Sequence, residues 1–198
     1  FAAEIEERID LDAMFRLMII ETFLMSSDGM GRNGRNYNLY HLRDEDHPNR
    51  WQLFNYDFDM TLDFDIDTRA PFMGESYLNI FSFYQRDPDD EKYNPLVNRV
   101  LAIPEHNATY VRLYQEFLGT VFATNSPKQP TALHADRVQF VLPWVDKDGL
   151  WQLSNGMDTD SFRSYGAYTG ELLTQRYINV TQQLQAAVRE QAQAPAQA

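Results

Sequence analysis

From Phe54 to Asp67 the chain alternates with a period of two, and no other stretch constrains its fold as much. Phe54, Tyr56, Phe58, Met60, Leu62, Phe64 and Ile66 hold the even positions, while Asp57, Asp59, Thr61, Asp63, Asp65 and Asp67 hold odd ones. That alternation is the pattern of a strand with one buried face, and it predicts that the even, apolar face packs inward. Same-face neighbours on a strand lie about 6.5–7 Å apart, so the carboxylates repel one another, and Asp is a poor strand former. Two readings meet that cost. A divalent cation held by oxygen ligands offsets it, or the acidic face is solvated at a sheet edge, where charge discourages pairing between molecules.

The totals narrow the class. The 198 residues suit one domain with appendages, and 43% hydrophobic with 14% aromatic residues is enough for a core, which excludes wholesale disorder. A net charge of −12 argues against nucleic acid or an anionic membrane as the main partner and leaves metal ions or a basic partner. The best apolar run, Met14 to Met25, is interrupted by Glu21 and is shorter than the roughly 20 residues of a membrane span. The absence of Cys rules out a disulfide framework, a thiol nucleophile and a thiolate metal site. The start at Phe1, straight into an acidic helical pattern, suggests a processed or incomplete chain. The sequons Asn107-Ala108-Thr109 and Asn179-Val180-Thr181 would permit glycosylation in a secreted protein.

Read in order, Asp10 or Asp12 caps a helix that carries Met14, Leu17, Met18, Glu21 and Phe23, apolar on most sides and therefore central, and ends near 26–29. A glycine-marked loop to Gly34 leads to a short strand, Asn36 to Tyr40, which should pair with the strand from Trp51 to Asp67 as an antiparallel hairpin. The rest is mainly helical: Ser76 to Arg86, a helix opening at Asn94-Pro95, one from Glu105 to Ala123, one capped by Thr131, and a last one from Asp160 to Arg189 with Gly166 or Gly170 as a break point. The expected architecture is α+β, a small antiparallel hairpin packed on a mostly helical body.

The loop after the buried helix contains Asp28-Gly29-Met30-Gly31-Arg32-Asn33. This Asp-x-x-x-x-Asn spacing is that of the protein-kinase catalytic loop, where Asp receives the substrate hydroxyl proton and Asn holds a metal ion. The spacing alone is common, and an ordinary loop in which Asp28 caps a turn shares it. Its order is more specific: long apolar helix, loop, strand, turn, then a strand bearing Asp57 and Asp59. A calcium-binding helix-loop-helix is excluded, because Thr68 and Gly74 stand where Gly and Glu are needed. His41, His47, His106 and His134 show no zinc spacing.

In this order of pieces the sequence resembles the spore-coat CotH family of atypical protein kinases. The resemblance is carried by Ile9-Asp10-Leu11-Asp12, by Asp28, by Asn36-Tyr37-Asn38-Leu39-Tyr40 and by Tyr56-Asp57-Phe58-Asp59-Met60-Thr61. Pro95 to Leu101, Tyr110 to Phe122 and Arg176 match the helices that follow. It implies a kinase-like C-terminal lobe over residues 1–190, and the Ala/Gln/Pro-rich composition of 191–198 predicts a disordered tail. It further implies Asp28 as the catalytic acid, and Asp57, Asp59 and Asn36 as metal ligands. Asn36 and Asn33 would serve the cofactor, ATP with Mg²⁺ or Mn²⁺, or with Ca²⁺. Two departures stand out: Asn55-Tyr56 where the family has Pro-Trp, and Leu62-Asp63 where it commonly has Gly.

An upper lobe with a phosphate-pairing Lys is not recognisable. The only lysines, Lys92, Lys128 and Lys147, all follow the proposed metal strand. The resemblance implies a protein Ser/Thr substrate or a surface-protein partner, with association to an upper-lobe segment or a further copy, in a secreted or cell-surface setting. Two alternatives keep the fold without catalysis: an adhesive or structural surface module, and a calcium-stabilised extracellular domain whose acidic strand is structural.

Overall fold

A computed structural model describes residues 1–26, 29–30, 35–43, 48–58, 61–62, 79–81, 95–123, 129–145, 147 and 158–193. Among these run the helices α1 (Ala2–Arg8) and α2 (Leu11–Phe23), the strands β1 (Tyr37–His41) and β2 (Trp51–Asn55), then α3 (Pro95–Leu101), α4 (Pro104–Val121), α5 (Pro130–Val145) and α6 (Thr159–Gln193). The α+β expectation holds: the strands pair antiparallel, with Tyr37 opposite Asn55 and His41 opposite Trp51. Two compact units are distinguished, Phe1–Gln115 with Val180–Ala198, and Glu116–Asn179. No helix among the described residues is long and apolar enough to cross a membrane.

In the first unit α2 is the core. Its apolar residues fall on most sides, and Met14, Phe15, Met18 and Ile19 are at most 1% exposed. Asp10 starts the helix as its N-cap, accepting from the Ala13 amide at 3.1 Å. Tyr110 and Tyr114 of α4 bond Thr22 of α2, and Val97 and Val100 of α3 and Val180 and Leu184 of α6 are likewise buried in this unit. Burial of side chains of this size contributes roughly 1.5–3 kcal/mol each. One polar knot sits inside that core: Thr22 Oγ1 lies 2.8 Å from the Met18 carbonyl and 3.3 and 3.2 Å from the Tyr110 and Tyr114 hydroxyls. The tyrosine rings meet edge to face with centroids 5.6 Å apart.

In the second unit α5 packs on α6 through a glycine. A Cβ on Gly166 would stand 2.7 Å from Val138 Cγ2, and His134 Nε2 donates to the Gly166 carbonyl at 2.8 Å. Gly166 and Gly170 therefore do not break α6, which runs unbroken from Thr159 to Gln193 and makes the first residues of the expected tail helical. Phe122 stacks on Tyr177 with centroids 5.0 Å apart. Arg176 is buried and donates to Asn179 Oδ1 at 3.3 Å.

Several expected boundaries move. α5 opens at Pro130, so Thr131 lies in its first turn and is not its cap. Of the helix expected over Ser76–Arg86, the described residues Asn79–Phe81 form a turn, with the Phe81 amide donating to Asn79 Oδ1 at 2.8 Å. The largest correction concerns the acidic strand. β2 ends at Asn55, and its buried residue is Leu53, at an odd position, whereas Phe54 and Tyr56 are 47% and 53% exposed. The face that packs on α2 is thus opposite to the one the alternation marks, and the pleat stops where Asp57 turns to φ 60°.

Candidate functional site

β2 is laid along α2 and fastened at both ends. The Asp10 amide, at the start of α2, donates to the Trp51 carbonyl at 2.8 Å, and the Asn55 side-chain amide donates to Glu21 Oε1 near the helix's end. The lengths agree: eleven residues of helix rise about 17 Å, and four steps of strand cover about 13 Å. Leu53 fills the interval between these ties and is 3% exposed.

α2 ends in a Schellman turn, with the Ser26 amide donating to the Glu21 carbonyl at 2.9 Å and the Met25 amide to the Thr22 carbonyl at 3.3 Å. The left-handed position of that motif, usually a glycine, is held by Met25 at φ 53°, whose side chain is 1% exposed. Beyond it the chain passes directly over the Glu21 carboxylate. The Met30 amide donates to Glu21 Oε1 at 2.8 Å, and a Cβ on Gly29 would lie 2.5 Å from the same oxygen. Glu21 is 0% exposed. Burying a carboxylate is strongly unfavourable unless hydrogen bonds compensate, and the Met30 amide and the Asn55 side chain contribute to that compensation.

The open end of the hairpin carries two of the expected site residues, Asn36 and Asp57. The Tyr56 amide donates to the Asn36 carbonyl at 3.1 Å, extending the pairing one step beyond β1 and β2. On either side of that bond Asn36 and Asp57 adopt left-handed backbone, at φ 54° and 60°. Asn and Asp are the non-glycine residues that enter this region most readily. Asp57 is exposed and Asn36 half-buried. The chain then turns back, with Thr61 Oγ1 donating to the Phe58 carbonyl at 2.9 Å. The Leu62 amide reaches the Leu24 carbonyl at 2.7 Å, with Leu62 itself left-handed at φ 52°. The end of α2, the hairpin mouth and the segment after β2 are therefore one bonded cluster.

Of the residues singled out from the sequence, Asp57 and Asn36 stand at this mouth. Asp28, Asn33 and Asp59, like Asp63, Asp65 and Asp67, lie outside the described residues. Among the described residues no group of three or more His, Asp or Glu gathers in a way that could hold a metal ion. The available donors are a carboxylate and amide oxygens, the hard ligands that Mg²⁺, Mn²⁺ and Ca²⁺ prefer. Beside them Asn55 Oδ1 is buried and accepts no hydrogen bond among the described residues. In donor chemistry the residues fit a hard divalent cation.

Sequence reasoning passed over Glu21, Gly29 and Asn55. The signal for the first is the one acid in the mainly apolar run from Met14 to Met25, a residue type rarely buried without specific partners.

The family model described as CotH kinase protein matches residues 1–136, which include α1 to α4 and both strands. The chain is also 28% identical over 158 residues to Invasin CotH3 of Rhizopus delemar. The aligned stretch covers 79% of this chain and 24% of that protein, so the chain spans about a quarter of the length of the curated relative it matches.

Proposed function

This chain belongs to the CotH kinase protein family, and from that premise we propose that it carries the catalytic-loop half of a metal-dependent phosphotransferase acting on protein Ser or Thr hydroxyls. The observation that carries the reading is the presence of Asn36 and Asp57, both left-handed, at the hairpin mouth, where the Tyr56 amide bonds the Asn36 carbonyl and Asn55 bonds Glu21 of α2. Left-handed backbone at a non-glycine residue is strained and gathers at functional sites.

In this reading Asp57, with Asn36 and Asp59, holds a divalent cation, Mg²⁺ or Mn²⁺, which when bound neutralises charge on the nucleotide phosphates. Asp28 accepts the proton of the substrate hydroxyl as its oxygen bonds to the γ-phosphorus of ATP. The bond from that phosphorus to the β–γ bridging oxygen breaks, and ADP leaves. Because Lys92, Lys128 and Lys147 all follow the hairpin in sequence, the Lys that pairs the nucleotide phosphates would come from outside these 198 residues.

The test is transfer of labelled γ-phosphate from ATP to protein by the full-length protein, with Mn²⁺ and with a chelator. Metal-dependent phosphoserine or phosphothreonine, lost in Asp28→Asn, supports the reading. No transfer from well-folded protein contradicts it.

A second reading is favoured by the name of the relative, an invasin: a cell-surface adhesive module that keeps the fold without catalysis. Its sign would be binding to a partner surface that Asp57→Asn leaves intact, together with no phosphate transfer.

A further inference from the structure

We propose that Glu21 is the positioning residue of this site: one buried carboxylate ties Met30, in the loop after α2, to Asn55, at the strand end that leads to Asp57. The proposal rests on the phosphotransferase reading, because it concerns the geometry that reading requires. Glu21 stands in the last turn of a helix whose other buried residues are all apolar except Thr22, and it is fully buried. An apolar residue would suit that place better if packing were all it served.

Its contacts point at both halves of the site. Oε1 accepts from the Met30 amide at 2.8 Å and from the Asn55 side chain. Gly29 lies so close that a Cβ there would meet Oε1 at 2.5 Å and Oε2 at 3.1 Å. Asn55 precedes Asp57 by two residues. Two residues of chain reach at most about 7 Å. The carboxylate therefore limits where the cation-holding Asp57 can stand relative to the end of α2. Glu21 itself touches neither substrate nor metal in this scheme. Misplacement of such groups by about 1 Å can lower a rate a hundredfold. The neighbouring Schellman turn pins the Glu21 backbone through the Ser26 amide, so side chain and main chain act on the same loop.

The experiment compares full-length wild type with Glu21→Leu, Glu21→Gln and the core control Met18→Ala, whose side chain is 0% exposed on the same helix. It reads hydrogen exchange at the Met30 amide and, with Mn²⁺ and ATP, kcat and KM separately. E21L is expected to speed Met30 exchange at least tenfold relative to the other α2 amides. It should lower kcat at least tenfold, with KM for ATP within threefold. E21Q, which keeps an oxygen acceptor, should restore both towards wild type. M18A should lose stability while keeping Met30 protection and kcat. Gly29→Ala, which wedges the loop away from the same carboxylate, should reproduce both changes and decides the matter if E21L does not fold. Undisturbed Met30 exchange in both E21L and G29A overturns the proposal, as does an M18A loss of kcat equal to theirs. If wild type transfers no phosphate, the phosphotransferase reading fails, while the Met30 exchange comparison still decides what Glu21 holds.

Discussion

Asn36 and Asp57 take the same left-handed conformation at the mouth of the hairpin, at φ 54° and 60°, where the amide of Tyr56, the residue before Asp57, donates to the Asn36 carbonyl. Each residue leaves its strand by a sharp change of direction, so the mouth is shaped by backbone and does not extend the pleat. Both positions carry residue types that tolerate this conformation and also supply oxygen ligands.

The backbone part of that relationship can be separated from the chemistry. Asp57→Gly removes the carboxylate and the strain together, whereas Asp57→Ala removes the carboxylate and keeps the strain. Without metal, D57G is expected to be more stable than D57A by about 1 kcal/mol in chemical denaturation. Equal stability would mean that Asp57 leaves the left-handed region in solution.

The buried hydroxyls of Thr22, Tyr110 and Tyr114 form a coupled unit. Thr22→Val removes a partner from both tyrosines and is expected to cost about 1–3 kcal/mol. In a double-mutant cycle with Tyr114→Phe, the double variant should lose less than the sum of the two single losses by at least about 0.5 kcal/mol. Strict additivity would show that Thr22 serves only its own helix.

Three helical glycines should respond with opposite signs. A Cβ at Gly119 of α4 meets nothing within 4 Å, and at Gly170 of α6 it makes ordinary contact with His134 at 3.8 Å. Gly119→Ala and Gly170→Ala are each expected to raise stability by roughly 0.5–1 kcal/mol. Gly166→Ala drives a Cβ against Val138 and is expected to lower stability by about 1–3 kcal/mol. Thermal unfolding of the three variants checks the pattern, and a gain in G166A would contradict it.

Acid should undo one cap. Asp158 accepts from the Ser161 amide at 2.7 Å, and the backbone and side-chain hydrogen bonds from Ser161 hold its carboxyl below the usual aspartate range. A folded-state value below the unfolded one means the contribution is complete above the unfolded value, about 3.9. It is then lost as the pH falls through the lower folded value. The urea midpoint of wild type should therefore exceed that of Asp158→Ala at pH 6, and the gap should close as the pH approaches 2. A gap that does not change with pH contradicts this.

How far the sequence could be read depended on whether a residue's role was local. Asp10 as a cap, Pro95 at a helix start and the aromatic period of Tyr37–Tyr40 all act within a turn or a strand, and the structure has those elements. The even-numbered apolar residues misled, because the alternation continues through positions where the backbone leaves the strand at Asp57 and Leu62. Leu62 takes a left-handed φ with nothing in its side chain to announce it. The departure Asn55-Tyr56 gained a meaning only in three dimensions, since Asn55 is the residue that bonds Glu21. Glu21 itself was visible as a lone acid in an apolar run, but its partners Met30 and Asn55 lie nine and thirty-four residues away.

The most direct measurement of the central claim is phosphate transfer by full-length Asp57→Asn set against Asp63→Asn, in Mn²⁺ and ATP. The two variants remove the same charge, one at the hairpin mouth and one in the acidic continuation. The account predicts a loss on the order of a hundredfold or more for D57N and activity within about twofold of wild type for D63N. Equal activity in the two variants would contradict it.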